Sequence, residues 1–127
     1  MNKHLLLILV LTVSLLIVSQ PLPGHHSTAG FDMDHTIAVK GTVTKFEWSN
    51  PHAYIGLDVK DEKGNSTQWS AELGSLGMLA RVGWRRDVVK PGDQITAYGN
   101  RAKDGRTFVH LTKIVFADGR ELSAQVL

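Results

Sequence analysis

The chain has 127 residues, 43% of them hydrophobic, a formal net charge of +2 and no cysteine. This suits one packed domain and excludes disulfides, thiolate metal sites and lipid attachment through an N-terminal cysteine. The small Lys/Arg excess is spread along the chain, unlike the basic stripe of a nucleic-acid binder, so no nucleic-acid partner is expected.

Met1-Asn2-Lys3 supplies a short positive region, and Leu5 to Val18 is apolar except for Thr12 and Ser14. A spanning helix needs roughly 20 apolar residues, so this run is short for a permanent anchor and fits a secretory signal core. Pro21 and Pro23 end it. Residues 1–24 therefore read as a signal peptide, with an uncleaved anchor as the alternative. Signal peptidase favours small residues in an A-x-A-like pattern before the cut. Cutting after Gly24 leaves Leu22 in that pattern, whereas cutting after Ala29 uses Ser27 and Ala29 but lies farther from the apolar core. Distance favours Gly24, and only that cut keeps His25 and His26. The mature protein is expected to be periplasmic or secreted, with no stable membrane anchor after processing.

Strand-like runs then alternate with turn signals. In Thr36 to Trp48, Ile37, Val39 and Val43 share one phase, while Phe46 and Trp48 take the other. The flip predicts a bulge or bend, which Gly41 can supply. Ser49-Asn50-Pro51 is a turn signal. In the second strand, His52 to Lys60, Ala53, Ile55, Leu57 and Val59 alternate onto one face, so His52, Tyr54 and Asp58 take the other. "DEKGN" turns the chain into a third strand, Ser66 to Leu73. Ser75 to Val82 has helical spacing, with Ser75 as cap and Gly83 as terminator. Two more strands follow, Gln94 to Asn100 and Arg106 to Phe116, while the tail to Leu127 carries no clear assignment.

Three strands, a short helix and two strands predict an all-β domain over residues 25–127. The order matches a small five-stranded OB-like Greek-key barrel; a small open sheet or sandwich is the alternative. The expected core is Ile37, Val39, Ile55, Leu57, Val59, Trp69, Leu79, Ile95 and Ile114.

The segments "HHSTAGFD", "GTVTKFEWSNPHAYIGLDV", "WSAELGS", "GWRRD", "KPGDQITAYG", "AKDG" and "ADGREL" occur in this order. Together they resemble the DUF6152 family of small exported bacterial proteins, over nearly all of residues 25–122. The resemblance implies export, a small β domain and removal of the leader just before His25. Members typically read Ala-His-His-Ser there, where this chain has Gly24 before His25. It implies no established activity and no catalytic residues.

The candidate chemistry centres on histidine. If cleavage exposes His25, its α-amine and ring Nδ1 can chelate a metal together, since an α-amine has a pKa near 8 and yields its proton to a metal. Nitrogen-rich, near-planar sites suit copper(II). His52 is the preferred remote ligand and His26 an optional one, with His110 and His35, beside Asp32 and Asp34, as further candidates. The plainer readings are a solvated N-terminal pair, a turn histidine at position 52 and a structural one at 110. Tyr54, Trp84, Arg85 and Arg86 form a second candidate set, for a small ligand or for an envelope protein partner without metal. Trp48, Trp69 and Trp84 are alternatively core aromatics. Glu47 and Glu72 lie in strands without an identifiable partner. No nucleophile elbow, phosphate loop or H-E-x-x-H motif is present, so a non-enzymatic binding domain is expected.

Overall fold

The structure is a computed structural model that describes residues 2–4 and 28–125. The expected signal peptide, His25 and His26 lie outside the described residues, apart from residues 2–4. A single 3-10 turn, Thr28–Gly30, leads into β1 (Phe31–Glu47), β2 (Tyr54–Lys60), β3 (Ser66–Glu72), a short helix α1 (Leu76–Arg81), β4 (Gln94–Ala102), β5 (Phe108–Phe116) and β6 (Glu121–Ser123). No helix among the described residues is long and apolar enough to cross a membrane.

The sheet runs β3-β2-β1-β4-β5-β6, and a parallel pairing of β3 with β5 closes the first five strands into a barrel. The expected OB-like order, with its helix between the third and fourth strands, is therefore what forms. β1 makes closure possible because it serves two neighbours. Its first part pairs with β4, its last part with β2, and Thr42 faces Asp58 on one side and Gln94 on the other. The bulge that turns the strand lies between Val43 and Lys45, where Thr44 is the extra residue against β2. Gly41, expected to supply the bend, instead permits a close approach. A Cβ there would stand 2.7 Å from the Asp58 carbonyl oxygen.

Most expected core residues are buried, including Val39, Ile55, Leu57, Leu79, Ile95 and Ile114. Ile37, Val59 and Trp69 are only half-buried and pack against the core from its margin. Trp84 fills the core as one of its largest fully buried side chains. β1 begins five residues earlier than Thr36, at Phe31, whose Cα faces Ala102 of β4. The tail contributes β6, paired to β5 from Lys113 to Val115.

The helix cap differs from the expected one. Ser75 occupies the cap position but makes no side-chain cap hydrogen bond. The Leu76 N–H donates instead to Asn50 Oδ1, 3.1 Å away in the β1–β2 loop. An Asn side chain from a distant loop thus satisfies a helix-end donor that a local Ser would ordinarily take. It also ties that loop to the end of β3.

Candidate functional site

His52 lies in the tied loop. Ladder bonding continues beyond the formal strand ends, with Leu73 N donating to Ala53 O at 2.8 Å and Ala53 N to Gly74 O at 3.2 Å. This fixes the backbone on both sides of the ring. His52 Nδ1 stands 2.9 Å from the Leu73 carbonyl oxygen and 3.1 Å from Glu72 Oε1. A carbonyl oxygen can only accept, so Nδ1 carries the proton. In the neutral ring the lone pair then sits on Nε2. A carbonyl or carboxylate holding one ring N–H is the usual arrangement behind a metal-ligating histidine.

Glu72 joins three elements. It is the Cα partner of Tyr54 across the β2–β3 pair and of His110 across the parallel β3–β5 pair. Its side chain is 18% exposed and that of His52 22%, so their contact is largely screened from water. Burial, reinforced by the charges of Glu72 and Glu47, raises the Tyr54 phenol above its ordinary value and keeps it neutral. Burial pushes the His110 ring below the ordinary histidine value; the Glu72 carboxylate opposes this and His52 adds to it. His110 Nδ1 is shut off from solvent with no hydrogen-bond partner among the described residues.

An aromatic wall closes one side. The Tyr54 and Phe108 rings lie 6.4 Å apart, Phe108 and Phe31 5.6 Å, and Phe31 and His110 5.4 Å. Phe31 is held there by the start of β1. Gly30 O accepts from Lys103 N at 2.9 Å, and buried Asn100 donates from Nδ2 to Asp32 O and His35 O, each at 3.0 Å. These bonds fasten the entering chain beside His110. The cluster of His52, Glu72, Tyr54 and His110 thus gathers the β1–β2 loop, the end of β3 and the start of β5, near the loops that OB barrels commonly use for binding.

Other candidates fall elsewhere. Trp84 is 1% exposed and its indole Nε1 donates to Ser123 O at 2.6 Å, so it is a core residue and no part of a contact surface. Arg85 and Arg86 are exposed beyond it, and Arg85 lies 3.7 Å from Asp87. The Tyr54 ring has His52 and Phe108 as its aromatic neighbours. His35 bonds Asp32 Oδ2 at 2.9 Å on the exposed start of β1. Among the described residues, no three His, Asp or Glu side chains are arranged to hold a metal ion. Sequence reasoning placed Glu72 in a strand but missed its link to His52 and His110. The signal it lacked was the parallel β3–β5 pairing, which joins residues far apart in the chain.

The profile of a family described as "Family of unknown function (DUF6152)" matches residues 13–110. No curated protein and no solved structure matches the chain.

Proposed function

The chain belongs to the DUF6152 family, and from that footing we propose that it is an exported, non-enzymatic binding domain for a late transition metal, copper(II) above all. The leader is removed before His25, and the domain works in the periplasm or outside the cell. His25 binds through its amine and ring, His52 through Nε2, and His26 is an optional further donor. The observation that carries this reading is the His52 ring. Its Nδ1–H is committed to the Leu73 carbonyl beside the Glu72 carboxylate, which orients the other nitrogen as a ligand.

Chain connectivity supports the pairing. His26 precedes Phe31 by five residues, and an extended chain spans at most about 3.6 Å per residue, or roughly 18 Å in all. Phe31 packs on His110, beside the Glu72 strand position. The barrel supplies too few ligands alone, and the N-terminal donors complete the set.

Copper(II) titration of the processed protein tests this. Adding one residue before His25 removes the terminal chelate and is expected to weaken binding by more than tenfold. Unchanged affinity in the extended protein overturns the terminal-chelate reading. The metal-free partner alternative has lost Trp84 to the core and retains only Tyr54, Arg85 and Arg86.

A further inference from the structure

We infer that the exposed face formed by α1 and the segment after it is a reversible contact for an anionic phospholipid surface, with Met78 entering the acyl boundary and Arg81, Arg85 and Arg86 on the phosphates. This goes beyond the metal reading and shares with it only the removal of the leader. Between Ser75 and Gly92 stand Arg81, Arg85, Arg86 and Lys90 against Asp87 alone, a local charge of +3 where the whole chain carries +2. The Lys/Arg excess, expected to be spread along the chain, is thus gathered here, and the rest of the chain is slightly acidic.

The arginines of this face differ from the others in what they hold. Arg101 donates to Gly105 O at 3.1 Å and lies over Trp69. Arg106 bonds Asp104 at 2.6 Å and covers Phe108, and Arg120 bonds Asp118 at 2.7 Å and covers Phe116. Among the described residues, the Arg81 and Arg86 side chains make no hydrogen bond, ion pair or ring contact, and Arg85 reaches only Asp87, at 3.7 Å. Unengaged guanidiniums are the groups that take a phosphate through paired N–H donors. Met78 is 48% exposed, one of two large hydrophobic side chains left in solvent among the described residues. It stands three residues before Arg81 in α1, on the same helix face. Buried Leu79 and Trp84 anchor the segment from within, and Trp84 N donates to Leu79 O at 3.1 Å. Charge complementarity makes the partner anionic. Met78 beside the arginines selects its form, since a bilayer boundary offers phosphates and acyl carbon in adjacent layers.

The test is co-sedimentation of the processed protein with vesicles of equimolar phosphatidylglycerol and phosphatidylcholine, and with vesicles of phosphatidylcholine alone. Binding is expected to the first only, and to fall about tenfold or more as salt is raised to about 0.5 M. Each basic residue at an anionic surface strengthens partitioning about fivefold. The triple variant Arg81→Gln, Arg85→Gln, Arg86→Gln should therefore lose well over about tenfold. Lys60→Gln, Lys63→Gln, Lys103→Gln removes the same charge from exposed positions elsewhere and should lose far less. Met78→Ser leaves the charge unchanged and should weaken binding several-fold. All seven side chains are exposed, so urea midpoints should stay at the wild-type value. An independent check needs no variant. Spin-labelled phosphatidylglycerol in the vesicles should broaden the Met78 methyl signal more than that of Met33.

A wild-type protein that ignores the mixed vesicles overturns the inference and leaves the face to an acidic protein partner. Equal losses in the two triple variants also overturn it, because binding would then follow net charge alone. So does equal binding to neutral vesicles, which traces the contact to an uncleaved leader, and so does a Met78 signal no broader than that of Met33. None of these outcomes alters the copper(II) titration, and a failed titration leaves vesicle binding unchanged.

Discussion

Truncating Trp84 is the sharpest test of how this barrel is held together. The side chain is 1% exposed, lies 5.9 Å from the Phe46 ring, and donates its indole N–H to Ser123 O at 2.6 Å. It thereby joins the segment after α1 to the core and to β6 at once. Replacing a buried Trp by Ala costs about 3–5 kcal/mol through lost contacts and the cavity left behind. Trp84→Phe is milder. Phe retains a ring in the core but loses the donor, and Ser123 is exposed enough for water to replace it. We expect about 1–2 kcal/mol there, from a net hydrogen bond of about 0.5–1.5 kcal/mol and a smaller ring. A domain of this size has about 5–15 kcal/mol in total, so Trp84→Ala should lower the urea midpoint strongly and Trp84→Phe moderately. Far-UV circular dichroism reads the transition without relying on the removed fluorophore. In both variants the β6 amides should exchange faster than in wild type. A Trp84→Ala protein within 1 kcal/mol of wild type would refute the assignment of this indole to the core and return it to the surface beside Arg85 and Arg86.

Gly99→Ala should be among the most damaging small substitutions. A Cβ there would stand 2.3 Å from the His110 carbonyl oxygen, a backbone atom locked in the β4–β5 ladder. We expect a loss above about 3 kcal/mol, or no soluble product, whereas Gly30→Ala, with nothing within 4 Å, serves as the neutral control in the same urea melts. The His110 ring, held below the ordinary value of 6.5 chiefly by burial with Glu72 opposing and His52 assisting, binds fewer protons folded than unfolded. Its contribution is therefore fully present above pH 6.5 and is lost as pH falls from there toward the folded pKa. His35, raised by its bond to Asp32, has the opposite sign, contributing below pH 6.5 and losing that as pH rises through its folded pKa. Histidine ring shifts followed by NMR should move in these two directions, and a His110 midpoint at or above 6.5 would contradict the burial argument.

The barrel was legible because local signals agreed with one another. Clean alternation in Ala53, Ile55, Leu57 and Val59 marks a strand with one face inward, and three of the four are fully buried. The "DEKGN" turn was readable because its chemistry is local. Asp61 Oδ1 accepts from Lys63 N at 2.8 Å and Asn65 N at 2.9 Å, with Gly64 at a φ of 85°. Where a long-range contact decided the outcome, sequence reading went astray. The cap of α1 comes from Asn50 rather than Ser75, and the bulge falls at Thr44 rather than Gly41. Trp84 looked like part of an exposed basic motif because Arg85 and Arg86 follow it. Its burial depends on Phe46 and Ser123, which no local pattern joins to it. β1 reaches back to Phe31 because Asn100 holds the irregular stretch from Asp32 to His35 against β4, and that stretch has no strand-like alternation of its own.

The candidate site divides along the same line. His52 could be placed on the outward face from strand phase alone, because it immediately precedes an alternating run. What fixes its ring is the backbone carbonyl of Leu73, 21 residues away, and backbone acceptors leave no trace in side-chain identity. Glu72 and His110 carried no mutual signal either, since parallel neighbours in a barrel meet only through closure. Closure also explains why this corner holds unusual polar groups. β3 and β5 pair over only Ser70 to Glu72, so the seam ends beside Glu72 and His110. Side chains at such an end are covered by loops and by the entering chain instead of by another strand. A carboxylate, two imidazoles and a phenol can therefore sit half-shielded there without interrupting the core of Ile55, Leu57, Val109 and Leu111. Stability asks for none of these four polar groups at the seam, since apolar residues would fill the same space. They assemble instead beside Phe31, at the start of β1, whose ring lies 5.4 Å from that of His110.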